Sequence, residues 1–228
     1  KLKLRNSRQE GLAPYAKLQE ADCVVIGAGA VGRKVAEQLA ALGVKKLQIW
    51  DHDTVELENL APQGYKENQL KRNKAEATGE DCISLNAGLA DNITIKSRRF
   101  AKSDFKELAG KHVFSCVDSI ETRKNIYESA VKAGCNWFGD ARVAGEVIRV
   151  IAESKPVKNG KYSKTLFEQT EAYEGSCHQK MVNYAANIAS GALVGKFAQS
   201  LRETIASFSD HNLNLLGWDL FETEEPKS

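Results

Sequence analysis

The 228-residue chain predicts an α/β fold: a doubly wound, mostly parallel sheet with an antiparallel extension at its C-terminal end. Three observations carry this. The apolar run Val24-Val25-Ile26 leads directly into a glycine-rich turn, Gly27-Ala28-Gly29-Ala30-Val31-Gly32, and then into a helical stretch, Arg33–Leu42. Strand-like and helix-like segments alternate from there to about residue 118, the pattern of parallel strands joined by crossover helices. Further on, Gly145–Glu153 is rich in β-branched residues and reads as a central strand.

In order along the chain, residues 1–20 read as a polar helical arm and residues 21–228 as a single domain, a size that fits one large α/β unit. Strands are expected near 23–27, 46–51, 92–96 and 112–117, with helices near 31–42, 72–87 and 103–109. A helix follows over 119–133, then a short strand at Asn136–Phe138 before the 145–153 strand. The stretch Lys155–Gly175, with Pro156, Lys158-Asn159-Gly160-Lys161 and Gly175, reads as an exposed loop. A loop of this length inside a domain is more often functional or mobile than structural. Gln179–Arg202 is a long helix whose many small residues permit close packing. Leu213–Phe221 is a late strand, and Glu222–Ser228 a polar tail.

Composition excludes several classes. A net charge of +2 is no nucleic-acid footprint, and Lys1, Lys3, Arg5 and Arg8 are too sparse for a polybasic arm. No apolar run approaches the ~20 residues of a membrane span; Ala192-Leu193-Val194-Gly195 is interrupted by Lys196. No signal peptide is visible. The five cysteines, Cys23, Cys82, Cys116, Cys135 and Cys177, lack C-x-x-C spacing, which supports neither zinc nor a disulfide framework. A reduced, cytoplasmic chain is the expectation. All but Cys177 sit in or beside apparent strands and read as small core residues.

The site signal begins at the glycine turn, which lets the backbone approach a pyrophosphate at a helix N-terminus. Lys46–Trp50 reads as the second strand of a Rossmann unit. Asp51 ends it nineteen residues after Gly32, where an acid meets a ribose hydroxyl. Asp51, Asp53, Asn59, Gln63 and Lys74 then supply carboxylates, amides and a cation suited to a phosphorylated ligand. Taken singly, each of these is equally a surface-loop residue; their concentration after a Rossmann second strand is what points to a site. Cys116-Val117-Asp118-Ser119 ends another strand on an acid. Asp118 has two readings there, a magnesium or nucleotide contact and, with Glu121, a capping-box N-cap for the 119–133 helix. Both can hold. Cys177, in Gly175-Ser176-Cys177-His178 before the long helix, is either a thiolate favoured by the helix N-terminus or an unreactive loop cysteine.

Taken together these residues resemble the ubiquitin-activating enzyme superfamily, specifically its compact ThiF/MoeB-type members, over about residues 5–153 and more weakly to about 220. Arg5-Asn6-Ser7-Arg8-Gln9 matches the family's R-x-x-R-Q, Gly27–Gly32 its glycine turn, and Asp51–Gln63 its D-x-D-x-V-x-x-x-N-L-x-R-Q in all but one key position. Its lysine falls on Lys74, and its strand-end D-N on Asp118-Ser119. The resemblance implies Mg-ATP-dependent adenylation of the C-terminal glycine carboxylate of a ubiquitin-like or sulfur-carrier protein by a homodimer. By the same token Gly27, Gly29 and Gly32 lie under the phosphates, Asp51 meets the ribose, Asn59 and Lys74 contact phosphates, and Asp118 holds magnesium. Asp53, Gln63 and Ser119 belong to the nucleotide site, and Arg8 acts as an arginine finger in the partner subunit's site. Cys177 would capture the activated tail if a covalent step follows adenylation.

The family's second motif arginine is Pro62 here, leaving a phosphate contact missing or supplied from elsewhere, with Arg72 as a candidate. Ser119 stands where the family has asparagine, and without paired C-x-x-C ligands no structural zinc is expected. Three other functions compete: a nicotinamide-dependent oxidoreductase, in which Asn59, Lys74 and the N-terminal arginines have no task; a ThiF-like scaffold that has lost activity; and a relative that activates a small-molecule or tRNA carboxylate.

Overall fold

A computed structural model of the chain describes residues 2–158, 160–167, 181–202 and 207–222. Strand β1 (Asp22–Ile26) is flanked by β2 (Lys46–Trp50) on one side and β4 (His112–Ser115) on the other. β3 (Ile93–Lys96) lies outside β2, and β5 (Trp137–Ala144) beside β4. These five strands are parallel. β6 (Val147–Ser154), β7 (Phe208–Asn214) and β8 (Asp219–Glu222) then add antiparallel, completing an eight-stranded sheet in the order β3-β2-β1-β4-β5-β6-β7-β8.

The central strands are apolar in both phases of their period-two alternation because both faces are covered. Cys23 and Val25 of β1, with Leu47, Ile49 and Phe114, join one buried layer. Its cover comes from α3 (Ala30–Leu42) and α7 (Asn183–Leu201). Val24 and Ile26, with Trp50, Val113 and Phe138, join the other layer, closed by Ile126, Tyr127 and Ala130 of α6 (Ile120–Ala133). α7 lies close on the sheet and on α3 through Ala185, Ala186, Ala189 and Ser190, all buried, and Gln38 of α3 donates to Ser190 Oγ at 2.9 Å. α5 (Lys74–Leu85) completes that layer, capped by Asn73, whose side chain accepts from the Ala75 and Glu76 amides. The turn between β1 and α3 and the turn between β4 and α6 therefore meet where the strand order switches direction, the place where open α/β sheets bind ligands.

The structure corrects several boundaries. β5 runs to Ala144 rather than ending at Phe138. Its extension carries Asp140 and Arg142, charges that argue against a buried strand until their partners are seen: Arg123 of α6 and Arg142 both pair with the fully buried Asp140, and the Tyr162 hydroxyl donates to it at 3.0 Å. Residues 102–108 form a 3₁₀-helix rather than an α-helix. The late strand is a hairpin, β7 and β8, turning at 215–218. α7 is described from Asn183, so the expected start at Gln179 lies outside the described residues. Cys82 sits in α5, not beside a strand, but is fully buried as expected. The arm contains two short helices, α1 (Leu2–Arg5) and α2 (Tyr15–Glu20).

Candidate functional site

Gly27 follows β1 with φ +93°, and a Cβ there would lie 2.5 Å from the Cys116 carbonyl oxygen after β4. A Cβ on Gly32 would overlap the Gly27 carbonyl oxygen. These two glycines are required by packing of the turn against itself and against β4. Gly29 differs: among the described residues nothing lies within 4 Å of its Cβ position, and it N-caps α3 with no side-chain cap. The first turn of α3 thus receives no side-chain cap, an arrangement that suits an anion.

Asp51, directly after β2, is fixed at both oxygens. Oδ2 accepts from the Ala28 amide at 2.6 Å and Oδ1 from the Asp53 amide at 2.8 Å. The strand-end carboxylate is thereby bonded to the glycine turn itself. Lys74 begins α5 with its side chain only 9% exposed, its ammonium 3.3 Å from Asp53 Oδ2 and its amide donating to the Asp53 carbonyl oxygen. Asn59 Oδ1 accepts from the Glu56 amide at 3.0 Å, fixing the turn that leads into α4 (Leu60–Gln63). Gln63 Oε1 is buried and has no hydrogen-bond partner among the described residues, a vacancy that a donor from a bound molecule would satisfy.

Asp118 stands exposed just beyond β4, at the edge that carries Gly27. It does not cap α6. The cap is Ser119, whose Oγ accepts from the Thr122 amide at 3.3 Å. The expectation was one residue out, and the correction leaves the Asp118 carboxylate without that structural task. Arg72 is likewise committed elsewhere, both its terminal nitrogens gripping Glu80 on the exposed side of α5.

The arm is pinned to the C-terminal ends of α3 and α5. Asn6 Nδ2 and Gln9 Nε2 both donate to the Leu42 carbonyl oxygen, at 2.9 and 3.2 Å, and Arg5 donates to the Leu85 carbonyl oxygen. Leu42 ends α3, whose 13 residues separate it from the glycine turn by about 20 Å at 1.5 Å per residue. Arg8, exposed between these anchors, lies remote from the glycine turn of its own chain. Cys177 and the eight C-terminal residues of the predicted 155–175 loop fall outside the described residues. The remaining four cysteines are buried free thiols, and burial pushes Cys116 and Cys135 up to about 12, unsuited to nucleophilic work.

Sequence reasoning missed two buried groups around the site. One is the Arg123–Asp140–Arg142 cluster; burial lowers Arg123 to about 10, and the guanidinium senses the charge of Asp118. Its signal was the pair of charges inside an otherwise apolar stretch. The other is Tyr65, 5% exposed, whose hydroxyl lies 2.5 Å from the Ala28 carbonyl oxygen. No motif marks it.

The sequence profile of the ThiF family matches residues 2–224. The chain is 32% identical over 133 residues to ubiquitin-like modifier-activating enzyme 5 of Caenorhabditis elegans, covering 54% of this chain and 30% of that protein. It is 34% identical over 168 residues to the sulfur carrier protein ThiS adenylyltransferase of Bacillus subtilis (strain 168), covering 67% and 48%. It therefore spans less than half the length of these two relatives. Among solved structures, PaaA superposes with a TM-score of 0.74 at 17% identity, over 97% of this chain and 69% of that one. The structure of Escherichia coli MccB with MccA-N7isoASN gives 0.78 at 15% identity, over 98% and 72%. At that identity these two likenesses speak for the fold alone. With the glycine turn, the fixed strand-end acid and the family profile in agreement along nearly the whole chain, the protein belongs to the ThiF family.

Proposed function

We propose that the protein uses Mg-ATP to adenylate the C-terminal glycine carboxylate of a ubiquitin-like or sulfur-carrier protein. The observation that carries this reading is the convergence, at one switch point of the sheet, of an open helix N-terminus at Gly29, the Asp51 carboxylate bonded to the Ala28 amide, and the buried Lys74 side chain. The residues present fit the nucleotide: uncapped amides await phosphate oxygens, and the unpartnered Gln63 Oε1 awaits a donor. The names of the Bacillus subtilis and Caenorhabditis elegans relatives agree with the proposed chemistry.

In this reading the Gly27–Gly32 turn carries the phosphates, Asp51 accepts from the ribose hydroxyls, and Asn59 and Lys74 address phosphate oxygens, with Asp53 and Ser119 bordering the site. Asp118 would hold a magnesium ion, which would supply positive charge beside the phosphates. The carrier's carboxylate oxygen bonds to the α-phosphorus as the bond to the β-phosphate oxygen breaks, giving a mixed anhydride and pyrophosphate. Arg8, remote from its own glycine turn, serves the site of a second copy in a homodimer. Cys177 is the candidate for a later covalent step on the activated tail. No helix among the described residues is long and apolar enough to cross a membrane, and ATP chemistry with free buried thiols fits a reducing cytoplasm.

Pro62, with Arg72 engaged by Glu80, favours one second reading, a ThiF-like scaffold that binds nucleotide without turning it over. ATP–pyrophosphate exchange separates the two. Carrier-dependent exchange supports the adenylyltransferase, and ATP binding without exchange supports the scaffold.

A further inference from the structure

The glycine turn, Asp51 and Lys74 reach the site from three separate elements, and a single buried phenol touches two of them. Gly64, with φ +71°, reverses the chain after α4 and delivers Tyr65 to the interior. The Tyr65 hydroxyl lies 2.5 Å from the Ala28 carbonyl oxygen, 3.1 Å from Thr78 Oγ1 and 3.3 Å from the Lys74 carbonyl oxygen. A phenol has one proton to give. The shortest contact takes it, so Thr78 donates in turn to the tyrosine oxygen. We propose that Tyr65 is a positioning residue for the phosphate site, its hydroxyl setting the orientation of the Ala28–Gly29 peptide and, through Thr78, the spacing between the glycine turn and α5, which Lys74 begins.

In a trans peptide the carbonyl and the following N–H point in opposite directions. Holding the Ala28 carbonyl inward on Tyr65 therefore turns the Gly29 N–H outward, toward the space left open at Gly29. The amide of Ala28 is meanwhile held by Asp51 Oδ2. The residue is bracketed on both sides, and the phenol supplies one bracket. Tyr65 is itself immobilised: the Arg33 guanidinium sits 4.7 Å over its ring and pairs with Asp81 of α5 at 2.6 Å. Asp81 receives Lys66 at 2.6 Å and Gln69 at 2.9 Å as well. Burial pushes the Asp81 carboxyl up, but Lys66, Gln69 and Arg33 outweigh it and hold the group below the usual carboxylate range. Burial also raises the Tyr65 phenol, which keeps it a donor at any physiological pH.

This inference rests on the nucleotide reading of the site, and the test keeps the two apart. Binding of Mg-ATP and of adenosine is measured by calorimetry for the wild type, Tyr65→Phe and Thr78→Val. Removing the hydroxyl frees the phosphate cradle, while Asp51 keeps its second anchor on the Asp53 amide. Tyr65→Phe is expected to weaken Mg-ATP about tenfold, the size of one hydrogen bond's contribution, and to leave adenosine unchanged. Thr78→Val, which removes the donor to the phenol oxygen, gives the same selective loss at about threefold. A phenol with only a core role would lower the folded fraction and reduce both ligands in parallel. Parallel loss, or undiminished Mg-ATP affinity in a folded Tyr65→Phe, overturns the proposal; if Tyr65→Phe fails to fold, Thr78→Val decides by the same criterion. A folded wild type that binds neither ligand overturns the nucleotide reading instead.

Discussion

On the β1–β4 side of the sheet, polar groups at the strand ends are held by the chain itself: Asp51 by two amides, Lys74 by Asp53, and the Ala28 carbonyl by Tyr65. On the β7–β8 side, Leu216, Trp218, Leu220 and Phe221 stand between 53% and 76% exposed on the edge hairpin. The first region is preorganised, so its geometry is set before anything binds. The second has surface in excess of what its own packing needs. A small, highly charged ligand rewards the first kind of construction, because fixed dipoles cost no reorganisation when charge arrives.

The comparison can be broken most forcefully at Gly32. A methyl there meets the Gly27 carbonyl oxygen, backbone that cannot yield cheaply. Gly32→Ala is expected to cost about 3 kcal/mol of stability and to abolish ATP binding, as read by chemical denaturation and calorimetry. Asp118→Ala should act differently. The carboxylate is exposed and Ser119 provides the cap, so pyrophosphate exchange should fall at least about a hundredfold with the melting temperature unchanged. A matching loss of stability would return Asp118 to a structural role.

Arg8→Ala tests the preorganised region from beside the far end of α3. Exchange should drop about a hundredfold, the loss typical of one transition-state cation or donor, with ATP affinity retained. Because Arg8 lies about an α3 length from its own glycine turn, roughly 20 Å, mixing Arg8→Ala with Asp118→Ala should regenerate one working site per heterodimer. A verified heterodimer without recovery contradicts the arrangement. Ser119→Ala should cost about 1 kcal/mol through loss of the cap, measured by urea unfolding. Trp218→Ser, at the smallest end, should change stability by no more than about 0.5 kcal/mol, because that ring is 74% exposed.

The preorganised region was also the legible one. The spacing from Gly27 to Asp51, and on to Lys74, is local in sequence and constrained by backbone geometry, so it can be read without the fold. Elsewhere the deciding contacts are distant. β5 looks short because Asp140 and Arg142 interrupt its apolar run, and their partners include the distant Arg123, seventeen residues before Asp140, and Tyr162, twenty-two residues after it. The antiparallel pairing of β6 with β7 joins Val150 to His211, across a stretch with no periodic signal of register. The cap of α6 was misplaced by one residue, since Asp118 and Ser119 are both good cap formers and backbone angles decide between them. Tyr65 carried no sequence signal at all: its role depends on where Gly64 turns the chain.

The central claim is that the preorganised edge serves adenylation of a protein tail. The direct measurement is ATP–pyrophosphate exchange by the wild-type protein with a purified ubiquitin-like or sulfur-carrier protein from the same genome, run beside the same carrier lacking its terminal glycine. The account expects magnesium-dependent exchange with the intact tail and none with the truncated one. A protein that binds ATP yet gives no exchange with any intact carrier, or exchange indifferent to the terminal glycine, would contradict it.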